Sequence, residues 1–138
     1  MLKRALSWMF EPEQPPLSWW RVIMWWENRR ISFNILVAIY GVPCLVIFFW
    51  SITTSGYLEP GEDAVEPMAL FAAPFGVNLC YTLGWLVEVP VRTVFPSLSP
   101  RFGPFLLKLG IGLSAFLISV PAVMWGGYRL LQLGHVLR

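Results

Sequence analysis

The sequence predicts an all-α integral membrane protein: an antiparallel bundle of three transmembrane helices preceded by an amphipathic, tryptophan-rich arm at the membrane interface. Composition and the spacing of charges carry this prediction. Of 138 residues, 57% are hydrophobic and 13% are charged, and the mean hydropathy is +0.62. A soluble domain carries about 25% charged residues, so this chain has too few to cover a water-exposed surface. The same figures exclude intrinsic disorder, which requires low hydrophobicity and high net charge.

The charged residues leave three long gaps. Charge-free runs extend over residues 31–58, 67–87 and 109–128, which are 28, 21 and 20 residues long. About 20 apolar residues cross a hydrocarbon core as a helix, and backbone groups in lipid must be hydrogen-bonded within the segment. We therefore expect spans over residues 31–53, 68–87 (or on to 95) and 104–127. Residues 1–30 form the predicted arm, and residues 31–138 form the membrane domain with a short C-terminal tail.

The sign of the flanking charges predicts the orientation. Eight of the ten Lys and Arg residues lie in two regions. Five precede the first run, and three lie in the second connection and the start of the third helix. The loop of residues 54–67 contains four acidic residues and no basic one. Because basic loops stay in the cytoplasm, we expect a cytoplasmic N-terminus, with the C-terminus and this loop outside. The basic residues flank apolar runs, which indicates contact with lipid headgroups and no nucleic acid.

The arm contains two features of interfacial segments. Leu2, Ala5, Leu6, Met9 and Phe10 recur at helical spacing, which predicts a short amphipathic helix lying on the membrane. Tryptophan prefers the membrane interface, where its ring is buried and its N–H stays hydrated. We therefore expect a group of aromatic and basic residues to anchor the arm at the membrane surface: Trp19, Trp20, Trp25, Trp26, Arg29 and Arg30. The alternative is that they form a docking surface for another membrane protein.

The second predicted span has a stripe of small residues four apart, Ala72, Gly76, Cys80 and Gly84. Such stripes let helix backbones approach closely. The expected contact is within the bundle, and the alternative is a contact with another chain.

Polar residues near this stripe are further candidates. Counting about 1.5 Å per residue from the inner ends of the spans puts Asn78, Tyr40 and Ser114 at a similar depth. Asn78 is therefore expected to bond Ser114 or Tyr40, as a packing contact or as a polar point in a conduction path. Glu88 and Arg92, four residues apart, are expected to form an ion pair at the cytoplasmic boundary.

No pattern indicates an enzyme, a cofactor site or a metal site. Residues 110–115 match the G-x-G-x-x-A dinucleotide motif, but that motif works only between a strand and a helix, and here it lies in a charge-free run. The chain has one histidine, His135, which excludes a bis-histidine site within it. Cys44 and Cys80 differ in predicted depth by about 7 Å, which argues against a disulfide.

Three segments carry a resemblance to a known group of proteins. Residues 25–30 (WWENRR) followed by Phe33 and Asn34, the acidic segment 60–67 (PGEDAVEP) and residues 78–85 (NLCYTLGW) resemble parts of small multi-pass bacterial inner-membrane proteins. The resemblance covers roughly residues 25–92. It implies a bacterial inner membrane, and it implies neither an activity nor a role for any residue.

These observations favour a non-catalytic membrane protein that acts as an accessory or assembly subunit. Its expected partners are the lipid bilayer and other membrane subunits or further copies of itself. The alternative is a small transporter or channel component that works only as an oligomer, because three helices cannot readily enclose a pore.

Overall fold

Three long helices account for most of the structure, a computed structural model that describes residues 7–13, 18–56 and 67–136. Helix α1 is Trp19–Thr54, helix α2 is Pro67–Val94 and helix α3 is Phe102–Val136. Residues 7–9 are also helical, and no strand occurs in the described ranges. The predicted all-α class is confirmed. Leu2, Ala5 and Leu6 of the predicted amphipathic helix and most of the 54–67 loop lie outside the described residues.

Helix α1 is longer than the span predicted within it. Ser18 caps it by accepting a hydrogen bond of 3.4 Å from the backbone N–H of Arg21. The chain leaves the helix after Thr54 through Gly56, whose φ of 72° is a left-handed conformation that glycine adopts without a steric penalty. The 36 residues extend over about 54 Å. Residues 19–30, assigned to the arm by the sequence, are therefore continuous with the first predicted span.

Helices α2 and α3 are also longer than the spans predicted at residues 68–87 and 104–127. Helix α2 has 28 residues and ends one position before the longer predicted limit at residue 95. Helix α3 has 35 residues and extends beyond the predicted limit at residue 127. Arg92 holds the connection between α2 and α3 in place by donating hydrogen bonds of 3.3 Å to the carbonyls of Leu98 and Ser99.

Two of the helices, α1 and α3, are long and apolar enough to cross a membrane by length and composition. Only 11% and 17% of the residues in their most apolar stretches are buried. Exposed apolar side chains also occur on all three helices: Ile31, Phe75 and Phe116 are 73%, 78% and 65% exposed. These helices are compatible with a membrane protein.

Neighbouring helices alternate in direction, so α1 and α3 run parallel to each other. Trp26 contacts Glu88 and Asn34 contacts Asn78, which makes α1 and α2 antiparallel. Tyr40 of α1 bonds Ser119 of α3, and Ile47 lies next to Gly126 further along both helices, which makes α1 and α3 parallel. The buried apolar core lies at the end where α1 and α3 begin and α2 finishes, and it comprises Met9, Val22, Trp25, Trp26, Phe33, Tyr81 and Leu107.

Candidate functional site

Polar and aromatic side chains meet at the core end of the bundle, and they form three groups. We call them the Glu88 cluster (Trp26, Glu88, Arg92 and Gly103), the Arg29 clamp (Trp8, Trp25 and Arg29) and the asparagine network (Glu27, Arg30, Asn34, Asn78 and Thr82). Each group joins segments that are distant in sequence.

The Glu88 cluster joins all three helices around one carboxylate. Glu88 is 3% exposed. Arg92 Nε donates a hydrogen bond of 2.7 Å to its Oε1, and Trp26 Nε1 donates one of 2.7 Å to its Oε2. The carboxylate faces Gly103 in the first turn of α3, where an added Cβ would lie 2.7 Å from Oε2. A buried charge is costly unless it is paired and hydrogen-bonded, and here each carboxylate oxygen has a donor.

Glu88 and Arg92 form an ion pair of 2.7 Å. Its expected place at the cytoplasmic boundary of the membrane stays a prediction. In the structure the carboxylate is enclosed by Trp26 and by the first turn of α3, whose positive dipole end favours an anion. No local spacing in the sequence points to the Trp26 and Gly103 contacts.

The contact with Trp26 explains why a small residue is needed at Gly84, one member of the stripe. The Trp26 ring packs on Gly84 so closely that an added Cβ would lie 2.6 Å from the ring atom Cζ3. Ala72, Gly76 and Cys80 are exposed, and a Cβ at Gly76 would have nothing within 4 Å. The prediction that these three residues pack against other helices of the bundle is therefore wrong for the described part of the chain. Contact with another chain stays a prediction.

The Arg29 clamp holds the N-terminal segment against α1. Arg29 is 6% exposed and donates hydrogen bonds of 2.9, 3.0 and 3.3 Å to the carbonyls of Trp8, Met9 and Glu11. Its guanidinium lies 4.5 Å from the ring centroid of Trp8 and 4.1 Å from that of Trp25. Burial lowers the pKa of Arg29, although an arginine stays charged in a protein. The charge is balanced by carbonyl dipoles and aromatic faces.

The predicted surface anchors divide into two groups. Trp19 and Trp20 are 63% and 56% exposed, as an interfacial role requires, whereas Trp25, Trp26 and Arg29 are 4%, 1% and 6% exposed. These three side chains are covered by the chain itself, so they present little surface with which to anchor it. The physical reason is tertiary: residues 7–13 and α2 cover them, and the sequence pattern of α1 alone contains no sign of that cover.

The asparagine network joins α1 to α2. Asn34 and Asn78 exchange two amide hydrogen bonds of 3.1 Å. Arg30 donates to Asn78 Oδ1 at 3.4 Å and to Thr82 Oγ1 at 3.2 Å, and it also pairs with Glu27 at 2.6 Å. The hydrogen bond from Arg30 lowers the pKa of Glu27, which precedes the first predicted span. Glu27, Arg30 and Asn34 lie three and four residues apart, so helical spacing alone could have indicated this polar face.

The partners predicted for Asn78 were wrong. Tyr40 instead bonds Ser119, with 2.6 Å between the hydroxyl oxygens, and Ser114 is 7% exposed within the bundle. Arg30, predicted as a surface anchor, contacts Asn78 and Thr82 of α2 while 27% of its side chain is exposed, and its role as an anchor stays a prediction.

The described side chains offer little metal chemistry. Within the described ranges no group of three or more His, Cys, Asp or Glu residues could hold a metal ion. Cys44 and Cys80 are both free thiols. Comparison of the chain with protein-family models, with curated proteins and with solved structures gives no match.

Proposed function

We propose that this chain is a small bacterial inner-membrane protein with three transmembrane helices, and that it is a non-catalytic accessory or assembly subunit packing against other membrane subunits. The observation that carries the proposal is the distribution of polarity. Arg29, Ser51, Glu88 and Ser114 are buried, while large apolar side chains are exposed along every helix. Soluble monomers rarely expose apolar patches larger than a few hundred Å², whereas lipid solvates such a surface.

Helix α2 is proposed as the third span. Its 28 residues extend over about 42 Å, which exceeds a hydrocarbon core of about 30 Å. Its exposed side chains include Phe75, Leu79 and Leu83. Three alternating spans and the distribution of basic residues support a cytoplasmic N-terminus and an external C-terminus.

Reporter fusions test this orientation. Alkaline phosphatase, which is active only outside the cytoplasm, is fused after residues 62, 98 and 138, and green fluorescent protein, which fluoresces only inside, is fused at the same points. We expect phosphatase activity at 62 and 138 and fluorescence at 98. Fluorescence at residue 62 would contradict the proposed orientation, and fluorescence at all three points without membrane association would contradict insertion.

The subunit role is supported by the outer face of α2. Ala72, Gly76 and Cys80 are exposed there, and small residues let a second helix approach closely and pack in lipid. An added side chain at Gly76 has open space in the chain itself. Bulk at this position would therefore obstruct a partner without disturbing the fold.

The test uses Gly76→Ile with Gly112→Ile as its control, because Gly112 on α3 also has nothing within 4 Å of an added Cβ. The chain is extracted with a mild detergent, and co-purifying proteins are quantified by mass spectrometry. We expect a hetero-complex of fixed stoichiometry that Gly76→Ile weakens about tenfold, equivalent to 1.4 kcal/mol, and that Gly112→Ile leaves intact. A monomer without partners contradicts the subunit role.

The asparagine network favours a second candidate, the oligomeric transporter or channel component. The side chains of Glu27 and Arg30 are 38% and 27% exposed, so a polar strip reaches the surface between α1 and α2. In a ring of identical chains this strip would line the axis. The same purification distinguishes the two candidates, since a homo-oligomer with this strip facing its axis supports transport and a hetero-complex contradicts it.

A further inference from the structure

We infer that a groove at the N-terminal end of α1 binds one phospholipid molecule, with the phosphodiester against Arg92 and the glycerol and first acyl carbons on an apolar floor. The inference rests on the proposed membrane location. It adds a specific ligand site to that proposal, and it concerns residues outside the proposed partner face of α2.

The groove lies between the first turn of α1 and the last turn of α2 and has a volume of about 170 Å³. It is lined by Trp19, Val22, Val89, Arg92 and Thr93, and we call the two valines its apolar floor and Trp19 its wall. Trp19 is 63% exposed. An apolar floor beside polar donors matches the part of a phospholipid where acyl chains meet the headgroup.

Arg92 supplies donors that are already held in position. A guanidinium has five N–H groups in a planar fork. Nε bonds Glu88 at 2.7 Å, and Nη1 and Nη2 each donate one bond of 3.3 Å to the carbonyls of Leu98 and Ser99. Two N–H groups have no acceptor among the described residues, and the same holds for the Trp19 indole N–H. A phosphodiester carries two oxygens that suit the fork of an arginine.

The depth of the groove agrees with this ligand. Arg92 follows the last residue of the charge-free run in α2, Val87, by five positions, or about 7 Å along a helix. The headgroup layer on each face of a bilayer has about this thickness. Exposed tryptophans such as Trp19 and Trp20 also favour this layer. Lipid phosphates are therefore present at the level of the Arg92 guanidinium.

The pairing of Arg92 with Glu88 determines the expected selectivity. Because the pair has no net charge, recognition depends on hydrogen bonds to the phosphate and not on the charge of the whole headgroup. We expect phosphatidylcholine and phosphatidylglycerol to bind equally well. Diacylglycerol with the same acyl chains lacks the phosphate and is expected to bind about tenfold more weakly.

The experiment measures lipid binding to the full chain after delipidation in detergent. Native mass spectrometry counts the molecules of palmitoyl-oleoyl phosphatidylcholine or of the matching diacylglycerol that each chain retains. Trp19→Ala removes one wall, and Trp20→Ala is its control, because Trp20 is similarly exposed but does not line the groove. Thr93→Trp fills the groove, and Val94→Trp is its control on the next exposed residue.

We expect one tightly held phosphatidylcholine in the wild type and in both controls, and about tenfold weaker binding in Trp19→Ala and Thr93→Trp. Equal retention of diacylglycerol would overturn phosphate recognition, and retention unaffected by either groove variant would overturn the site. The reporter fusions described above separate the two proposals. A chain that inserts into the membrane but shows no groove-dependent lipid binding overturns this inference alone.

Discussion

Trp26 and Glu88 lie 62 residues apart in sequence and are joined by a hydrogen bond of 2.7 Å from the indole nitrogen to Oε2. Both side chains are buried, at 1% and 3% exposure. This bond connects α1 to α2, and through Gly103 the same carboxylate reaches α3. The end of the bundle from which α1 starts is therefore held together by a buried polar contact.

Trp26→Phe is expected to destabilise the chain because it removes the donor to Glu88 Oε2 while keeping an aromatic ring against Gly84. A buried acceptor without its partner costs about 1–3 kcal/mol. Thermal unfolding in detergent, followed by circular dichroism, measures the loss. Trp20→Phe, at an exposed position, is the control and should unfold at the wild-type temperature. Equal midpoints for the two variants would contradict the importance of the bond.

The glycines of α2 should respond in opposite ways to alanine. An added Cβ at Gly84 would meet the Trp26 ring, with Cζ3 at 2.6 Å, whereas at Gly76 nothing lies within 4 Å. Overpacking a core costs about 1–3 kcal/mol, while alanine in place of an unhindered helical glycine gains about 0.5–1 kcal/mol. We expect Gly84→Ala to lower the unfolding midpoint and Gly76→Ala to maintain or raise it. A lower midpoint for Gly76→Ala alone would contradict the packing described.

Arg29→Lys is expected to release the N-terminal segment. The planar fork of arginine reaches the carbonyls of Trp8, Met9 and Glu11 at once and stacks between two indoles, whereas a lysine ammonium is a point donor. Losing two of these bonds costs about 1–3 kcal/mol. Hydrogen exchange measures the effect, and backbone amides in residues 7–13 should exchange faster. Arg101→Lys, at an exposed residue, is the control and should leave that exchange unchanged.

Charge spacing was sufficient to predict the helices, since each charge-free run falls largely inside one of them. It did not predict their relative register. Depth counted from the ends of the runs put Asn78 level with Tyr40, but Asn78 bonds Asn34. The discrepancy is about six residues, or roughly 9 Å along a helix. Register depends on contacts such as Trp26 on Gly84, which form between segments distant in sequence.

The same limit applies to the buried aromatic residues. Tryptophan and arginine beside an apolar run are typical of an interface, and Trp19 and Trp20 are exposed as that pattern predicts. Trp25 and Arg29 are buried because residues 7–13 fold back over them. This folding back depends on hydrogen bonds from the Arg29 guanidinium to backbone carbonyls. Such bonds produce no repeating pattern of residue types that the sequence could reveal.

The Asn34–Asn78 pair gives a quantitative test of the register. Replacing one asparagine with leucine leaves the partner amide without its reciprocal bonds, whereas replacing both removes the need for them. We expect each single variant to be destabilised and the double variant to recover part of the loss. Coupling energies for such bonds between membrane helices average about 0.6 kcal/mol and reach about 1.7 kcal/mol. Unfolding in detergent supplies the four free energies of the cycle. Asn28→Leu, at an exposed position on α1, combined with Asn78→Leu should give no coupling, and coupling of equal size in that control cycle would contradict a direct Asn34–Asn78 contact.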